Sequence, residues 1–502
     1  MNRTLAFKST TLTGIGAFIM LNLTNCQASI KGTNTVKPNI LFIYVDDLRP
    51  ELGCYGVKNI KSPNLDKLAA SGCLFTNHFA QVPTCGASRC SILTGMLPTT
   101  KGHLANESIQ KLISGKPETA RPETFIHNLK RNGYHTTGIG KISHSADGLL
   151  YGYNDSVGTE KELPNSWTDL FFDAGKWKTG WNAFFGYADG ENRQSRKGQV
   201  KPYEKGYVDD DGYVDGLTAK LAVKNLDDLA KRNQPFFLGV GFFKPHLPFN
   251  SPVKYWDLYN ESEISLTPSP DIPGNVNIAS LHQSGEFNGY LAGDENASLE
   301  KPLSDAYARK VRHAYFAAVS YVDAQIGKVL DELEKLGLAE NTIVVVWGDH
   351  GWQLGDHRVW GKHTIFESAL KSALIVRVPG MISAGEHIDK VVSSIDIYPT
   401  LMELCGIEMN YKTDGKSMVG LLNDPFLTKW EEASFGYFRN GITVRTGRYR
   451  MTKYFRKEKP VVELYDHQSD PFENNNIAND YPKVIEQLTP IWEKGNTGLF
   501  GK

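Results

Sequence analysis

Apolar runs recur along the chain, and several of them end in a cluster of charged residues. Asn39-Ile-Leu-Phe-Ile-Tyr-Val45 stops at Asp46-Asp47. Tyr134 to Gly140 is followed by Lys141 and His144, Phe236 to Phe243 by Lys244 and His246, and Thr342 to Trp347 by Gly348-Asp349-His350. Short unbroken apolar runs of this kind predict strands covered on both faces. Pro63 to Ser71 predicts a helix with Gly72 at its stop, and Arg312 to Leu336 carries helical periodicity. Strands alternating with helices predict an α/β fold: a large, mostly parallel sheet flanked by helices. In open α/β sheets ligands sit beyond the carboxyl ends of the strands. Asp46, Asp47, Lys141, His144, Lys244, His246, Asp349 and His350 all fall there. Polar residues at strand ends are ordinary, but eight with charged, metal-competent chemistry point to one pocket.

The pattern changes along the tail. Gly441 to Arg445 and Tyr449 to Tyr454 alternate as antiparallel strands do, Glu463 to Asp466 adds another, and Pro482 to Lys494 predicts a closing helix. Residues 417–502 are expected to form a smaller C-terminal α+β subdomain after a main domain over 38–416. The stretch from Tyr151 to Gly216 is rich in Gly, Asp, Asn and Trp without periodicity and reads as an insertion that shapes a cleft.

Composition changes the picture in two places. With 502 residues, 40% hydrophobic, and a formal net charge of -1, the chain is a large folded protein without an overall field for nucleic acid. At the start, Arg3 and Lys8 precede an apolar run, Leu12 to Leu23, too short to span a bilayer. Residues 1–26 therefore read as an export signal, and 27–37 as a polar linker. Leu23-Thr-Asn-Cys26 resembles a bacterial lipoprotein cleavage box, which would put a lipid anchor on Cys26; plain secretion is the alternative. The expected location is the periplasm or cell surface, or otherwise the medium. Export permits disulfides, yet the remaining Cys54, Cys73, Cys85, Cys90 and Cys405 are odd in number. Cys85 and Cys90 stand close together in Gln81-Val-Pro-Thr-Cys-Gly-Ala-Ser-Arg-Cys-Ser-Ile-Leu-Thr-Gly95, where a disulfide, a metal site and a nucleophile are all open. Their spacing lacks the matching second pair of a zinc site.

Asp46, Asp47, Asp349 and His350 together suit a divalent cation, and hard oxygen ligands favour calcium or magnesium. The segment from Cys85 through Arg89 to Gly95 resembles the signature of the type I sulfatases: Cys, any residue, Pro or Ala, any residue, Arg, then a run ending Leu-Thr-Gly. Gly140-Lys-Ile-Ser-His144, Lys244-Pro-His-Leu-Pro-Phe249, Trp360-Gly-Lys362 and Leu464-Tyr-Asp-His-Gln-Ser-Asp-Pro-Phe-Glu473 are similar to further elements of that family. His350, with the run Gly351 to Lys362, is similar to the iduronate-2-sulfatase subgroup.

The resemblance implies an alkaline-phosphatase-like fold and a calcium ion on Asp46, Asp47, Asp349, His350 and residue 85. It implies that a formylglycine-generating enzyme converts Cys85 to an aldehyde, whose hydrate attacks sulfur through one hydroxyl and expels sulfate with the other. Arg89 would steady that hydrate. Lys141 and Lys362 would hold sulfate oxygens, His246 would protonate the leaving alcohol, and His144 would act as a base. Cys90 would be a small buried hydrophobe. The implied substrate is a sulfated, uronate-containing poly- or oligosaccharide, such as a glycosaminoglycan or an algal glycan like ulvan. His357 and His363 are candidates for the cleft, and Trp177, Trp181 and Trp352 for stacking on sugar rings. Two other readings stand beside this one: a phosphatase or phosphodiesterase of the same superfamily, and a glycan-binding lipoprotein without catalysis.

Overall fold

The computed structural model describes residues 37–113 and 122–501; the expected leader, the lipid-anchor cysteine Cys26 and nearly all of the linker lie outside the described residues. Among the described residues no helix is long and apolar enough to cross a membrane.

The four predicted apolar runs form the strands Asn39–Val45, His135–Gly140, Phe236–Phe242 and Thr342–Gly348, each buried along its whole length. They lie side by side in an eight-stranded sheet. Thr342–Gly348, Asn39–Val45, Phe236–Phe242 and His135–Gly140 are parallel neighbours in that order. Their carboxyl ends therefore open onto one edge. The sheet is mixed: Leu374–Arg377 runs antiparallel between Thr342–Gly348 and Cys73–Phe79. His387–Ser393 then pairs parallel with Cys73–Phe79, and Asp169–Phe171 closes the opposite side.

Helices cover both faces. Pro63–Ser71 forms as expected. The long helix begins earlier than its periodicity suggested, at Asp305, and runs to Lys335. Ser304 sets that start, because its side chain accepts a hydrogen bond from the Tyr307 amide at 3.3 Å.

At the C-terminus, Ser434–Phe438, Gly441–Arg445, Tyr449–Tyr454 and Val462–Asp466 form an antiparallel meander. The helix Pro482–Lys494 packs Leu488 and Trp492 against Ile442, Val444, Met451 and Leu464. The motif that ends at Glu473 joins this sheet to the larger one. Glu473 accepts from Arg450 Nε at 2.6 Å and from the Glu367 amide at 2.7 Å. Arg450 and Glu473 are buried, and the Glu367 contact ties the tail to the segment that follows Lys362.

Candidate active site

Each candidate side chain stands just past a strand end. Asp46 and Asp47 follow Asn39–Val45, Lys141 and His144 follow His135–Gly140, and Asp349 and His350 follow Thr342–Gly348. Lys244 and His246 follow Phe236–Phe242. Gly241 allows two of these ends to close up, since a Cβ there would lie 2.1 Å from the Lys141 carbonyl oxygen. Asp47 takes the left-handed conformation, φ 59. Such strain in a non-glycine residue persists only where surroundings hold it. Its amide donates to Asp349 Oδ1 at 3.0 Å, and Tyr315 Oη donates to its carbonyl at 2.8 Å.

Asp46, Asp47 and Asp349 bring carboxylate oxygens within 4.8 Å of one another, all wholly buried. Three cations answer them. Arg89 reaches Asp349 Oδ2 through Nε at 3.1 Å and Asp46 Oδ1 at 3.3 Å, and donates to the carbonyls of Lys141 and Ile142. Lys141 Nζ donates to Asp46 Oδ2 at 2.7 Å, and Lys362 Nζ to Asp47 Oδ1 at 3.1 Å. Burial would raise the Asp46 carboxyl, but Lys141, His246 and Arg89 hold it well below the usual range. Asp47 goes the other way. Burial, with Asp46 and Asp349 alongside, lifts it to about 7 against Lys362 and His350.

The donor set fits a divalent cation. His350 Nδ1 faces the Gly351 carbonyl at 3.0 Å, while its buried Nε2 has no hydrogen-bond partner. Three carboxylates with an orphaned imidazole nitrogen beside them make a hard-ion site. With three carboxylates balanced by Arg89, Lys141 and Lys362, a bound divalent ion would leave the pocket positive and suited to an anionic ester.

Cys85 opens the helix Cys85–Thr94, and every residue of that helix is buried. Gly86 permits this seat, because a Cβ there would lie 1.9 Å from the Asn106 carbonyl oxygen. Cys85 Sγ is 3.3 Å from Lys362 Nζ. It also lies within metal-ligand reach of Asp47 and His350, and of Asp46 and His246. Burial and Asp46 push the thiol above its ordinary value, despite Lys141 and Lys362. A catalytic thiolate needs the opposite shift. No disulfide links the five described cysteines. Cys85 and Cys90 lie in one helix, and the alternative of a bridge between them is not realised.

His246 Nδ1 is 2.6 Å from the Leu247 carbonyl, and Nε2 is 3.2 Å from Glu286 Oε1. Both neighbours only accept, so whichever ring nitrogen carries hydrogen has an acceptor in reach. Glu286 also stands 3.5 Å from Lys362 Nζ. Burial would raise its carboxyl, but Lys362 and His246 hold it well below the usual range. His144 is a contrasting case: burial and Lys141 hold it well below its ordinary value, and its Nδ1 has no hydrogen-bond partner. Lys244 turns away from this chemistry, its Nζ donating to the carbonyls of His246 and Pro248.

Glu286 carries no signal in the sequence. It sits in a single turn, Gly285–Asn288, with no apolar run before it. The tryptophans correct an expectation. Trp177, Trp181 and Trp352 are 2%, 3% and 0% exposed, too buried to stack on a sugar. Trp177 and Trp181 donate to the carbonyls of Tyr187 and Tyr151, and the Trp352 ring underlies Lys362 Nζ at 5.0 Å. The inserted stretch supplies the site wall instead through Phe184, whose ring is 4.7 Å from His246 and 5.2 Å from Lys141 Nζ. His357 is not in the cleft; it is buried and donates to the Phe472 carbonyl at 2.9 Å. His363 stacks on Phe438 of the C-terminal sheet at 5.4 Å.

A family model described as sulfatase matches residues 38–407, and a model for the C-terminal part of N-sulphoglucosamine sulphohydrolase matches 355–494. A sulfatase of Formosa agariphila is 33% identical over 478 residues, covering 92% of this chain and 87% of the relative. The iduronate 2-sulfatase of Mus musculus is 33% identical over 409 residues, covering 74% of this chain and 69% of the relative. The solved structure of BT4656 with D-glucosamine-2-N,6-O-disulfate superposes with a TM-score of 0.70 at 22% identity, covering 91% of this chain and 97% of that one, which establishes likeness of fold. The mixed sheet with its smaller C-terminal sheet is thus a sulfatase fold, and the chain belongs to the sulfatase family as a sulfuric ester hydrolase.

Proposed function

We propose that this chain hydrolyses sulfate monoesters on a sulfated, uronate-containing polysaccharide or its oligosaccharides, with residue 85 acting as formylglycine. The observation that carries the reading is the seat of Cys85: at a helix N-terminus, beside Lys362, within reach of the carboxylate cluster, and with its thiol pushed up rather than down. A thiol so placed is a poor nucleophile and a well-positioned precursor. The likeness to iduronate 2-sulfatase supports the uronate, as does a Formosa agariphila relative named an ulvan-active sulfatase, 27% identical over 489 residues, 94% of this chain.

A calcium ion on Asp46, Asp47, Asp349 and His350, together with the aldehyde hydrate at residue 85, would supply charge neutralisation and an oxygen nucleophile. The chain's own groups do the rest. Lys141 and Lys362 hold sulfate oxygens as fixed charges that cost no reorganisation during the reaction. Arg89 keeps Asp46 and Asp349 at one spacing. His246 gives its Nε2 proton to the departing sugar oxygen, and the Leu247 carbonyl at Nδ1 holds the ring in the direction for that step, with Glu286 on the Nε2 side. His144, neutral with a free ring nitrogen, accepts the proton released as sulfate is expelled. Export to the periplasm or cell surface, and a maturation enzyme as partner, complete the reading.

The test is the mass of the peptide containing Cys85, from protein co-expressed with a formylglycine-generating enzyme, followed by sulfate release from a panel of sulfated glycans. Exchange of sulfur for oxygen at residue 85, with release abolished in Cys85→Ala, supports the reading. An unmodified thiol despite a working maturation enzyme would sink it. Hydrolysis of phosphate esters but not sulfate esters would favour the phosphatase alternative.

A further inference from the structure

We propose that Arg193 reads a second anionic substituent, a carboxylate or another sulfate, on the sugar that carries the scissile sulfate. Its guanidinium carbon lies 3.9 Å from the centre of the Phe185 ring and 5.4 Å from that of the Tyr290 ring. Those rings belong to the wall of the reaction site. Phe185 packs edge-on to Phe184 at 4.5 Å, and Phe184 in turn touches His246. Tyr153 bridges Phe185 and Trp181, and Trp181 faces His144 at 5.3 Å. Tyr290 sits one turn beyond Glu286, and the loop after Arg193 is tied to that segment by the Leu291 amide donating to the Gly198 carbonyl at 2.8 Å. Arg193 is thus one aromatic layer out from the groups that handle the ester.

Its charge has no answer in the protein. Buried arginines elsewhere in the protein are paired: Arg89 with Asp46 and Asp349, Arg312 with Glu51, Arg450 with Glu367 and Glu473. Among the described residues no carboxylate lies within ion-pair distance of Arg193, although it is only half-exposed. Glu286, the acid on the adjoining segment, already faces His246 and Lys362. A guanidinium resting on the Phe185 ring keeps its planar fork oriented and loses little freedom when it takes a planar anion in a two-pronged contact. Substrate sulfate is claimed by Lys141 and Lys362, so the group left for Arg193 is a different anion. This rests on the glycan-sulfatase reading and adds how the sugar is chosen.

The experiment uses full-length Cys85→Ala protein, which cannot turn over, and calorimetric affinities for three ligands. They are a uronate monosulfate, the same sugar with its carboxyl reduced to an alcohol, and a neutral sugar bearing two sulfates. In the Arg193 protein the charged ligands should bind more tightly than the reduced one. In Arg193→Met, which keeps the stem against Phe185, that preference should fall by about 10- to 100-fold, the worth of a charge-assisted contact. Arg193→Lys should retain part of it. Collapse for the uronate alone assigns the carboxylate, and collapse for the disulfated sugar alone assigns the second sulfate. Preferences equal in the Arg193 and Arg193→Met proteins overturn the proposal. Failure of the matured wild-type enzyme to release sulfate is a separate outcome, which overturns the functional reading and leaves these binding ratios readable.

Discussion

Adding calcium to the metal-free protein should expel protons in an amount set by pH. Burial and two neighbouring carboxylates place the Asp47 carboxyl at about 7 in the metal-free state. A cation takes the ionised form, so binding must displace whatever proton is present. A group with that value is roughly nine-tenths protonated at pH 6, half at pH 7 and one-tenth at pH 8. Calcium uptake should release about 0.9, 0.5 and 0.1 proton at those values, and apparent affinity should rise about tenfold per pH unit below 7 before levelling off. The same residue gives the metal-free protein a pH-dependent stability. The folded value lies above the unfolded one, so the native state binds more protons between roughly pH 4 and 7, and stability falls as pH rises through that window. Asp47 is wholly buried, and the difference corresponds to at most roughly 4 kcal/mol at about 1.4 kcal/mol per unit. Titration calorimetry in two buffers of different ionisation enthalpy reads the proton count directly, and thermal unfolding with chelator reads the stability. Asp47→Asn should abolish the pH 6 proton release. Equal heats in both buffers at pH 6 for the wild-type protein would refute the assignment of Asp47 to the cation.

Three further outcomes follow from buried charges. Arg89→Met strands Asp46 and Asp349 without their guanidinium and should cost about 3–5 kcal/mol in the metal-free protein, with partial recovery on adding calcium, as read by urea unfolding with and without the ion. Glu286→Gln should lower kcat/KM for a sulfate ester by about 10- to 100-fold, because the amide removes the negative charge that faces both His246 Nε2 and Lys362 Nζ; an unchanged kcat/KM counts against the pairing. Burial pushes the Glu463 carboxyl up to about 7, against Ser280 and Arg456, so it removes stability as pH rises from roughly 4.5 to 7. Glu463→Gln should flatten that slope, by up to about 3 kcal/mol across the window, in denaturant titrations at fixed calcium.

Much of the candidate site was legible because it hangs on the strongest signal a sequence carries. Strands buried on both faces must be continuously apolar, so Asn39–Val45 and Thr342–Gly348 stand out, and the charged residues after them stand out too. Cys73–Phe79 and Leu374–Arg377 carry no such signal, since the first holds Thr76, Asn77 and His78 and the second has only four residues. Asp305 to Val311 was missed from the long helix because polar and charged residues fill its first turns. Composition records the aromatic side chains of Trp177, Trp181 and Trp352 and not their burial, which is what keeps them from a sugar.

The sequence alone determined the α/β class and the strand ends that present charge, which follow from local periodicity, and it carried the Cys85 to Gly95 stretch that resembles a family signature. Tertiary structure decided which strand ends are neighbours, and hence that Asp46, Asp47 and Asp349 share one pocket with Lys362. It also decided the partners that come from segments with no pattern: Glu286 from a single turn beside His246, and Arg193 from a loop laid over Phe185. Such residues owe their position to the packing of remote elements rather than to their own neighbours in the chain, and no window of sequence contains that information.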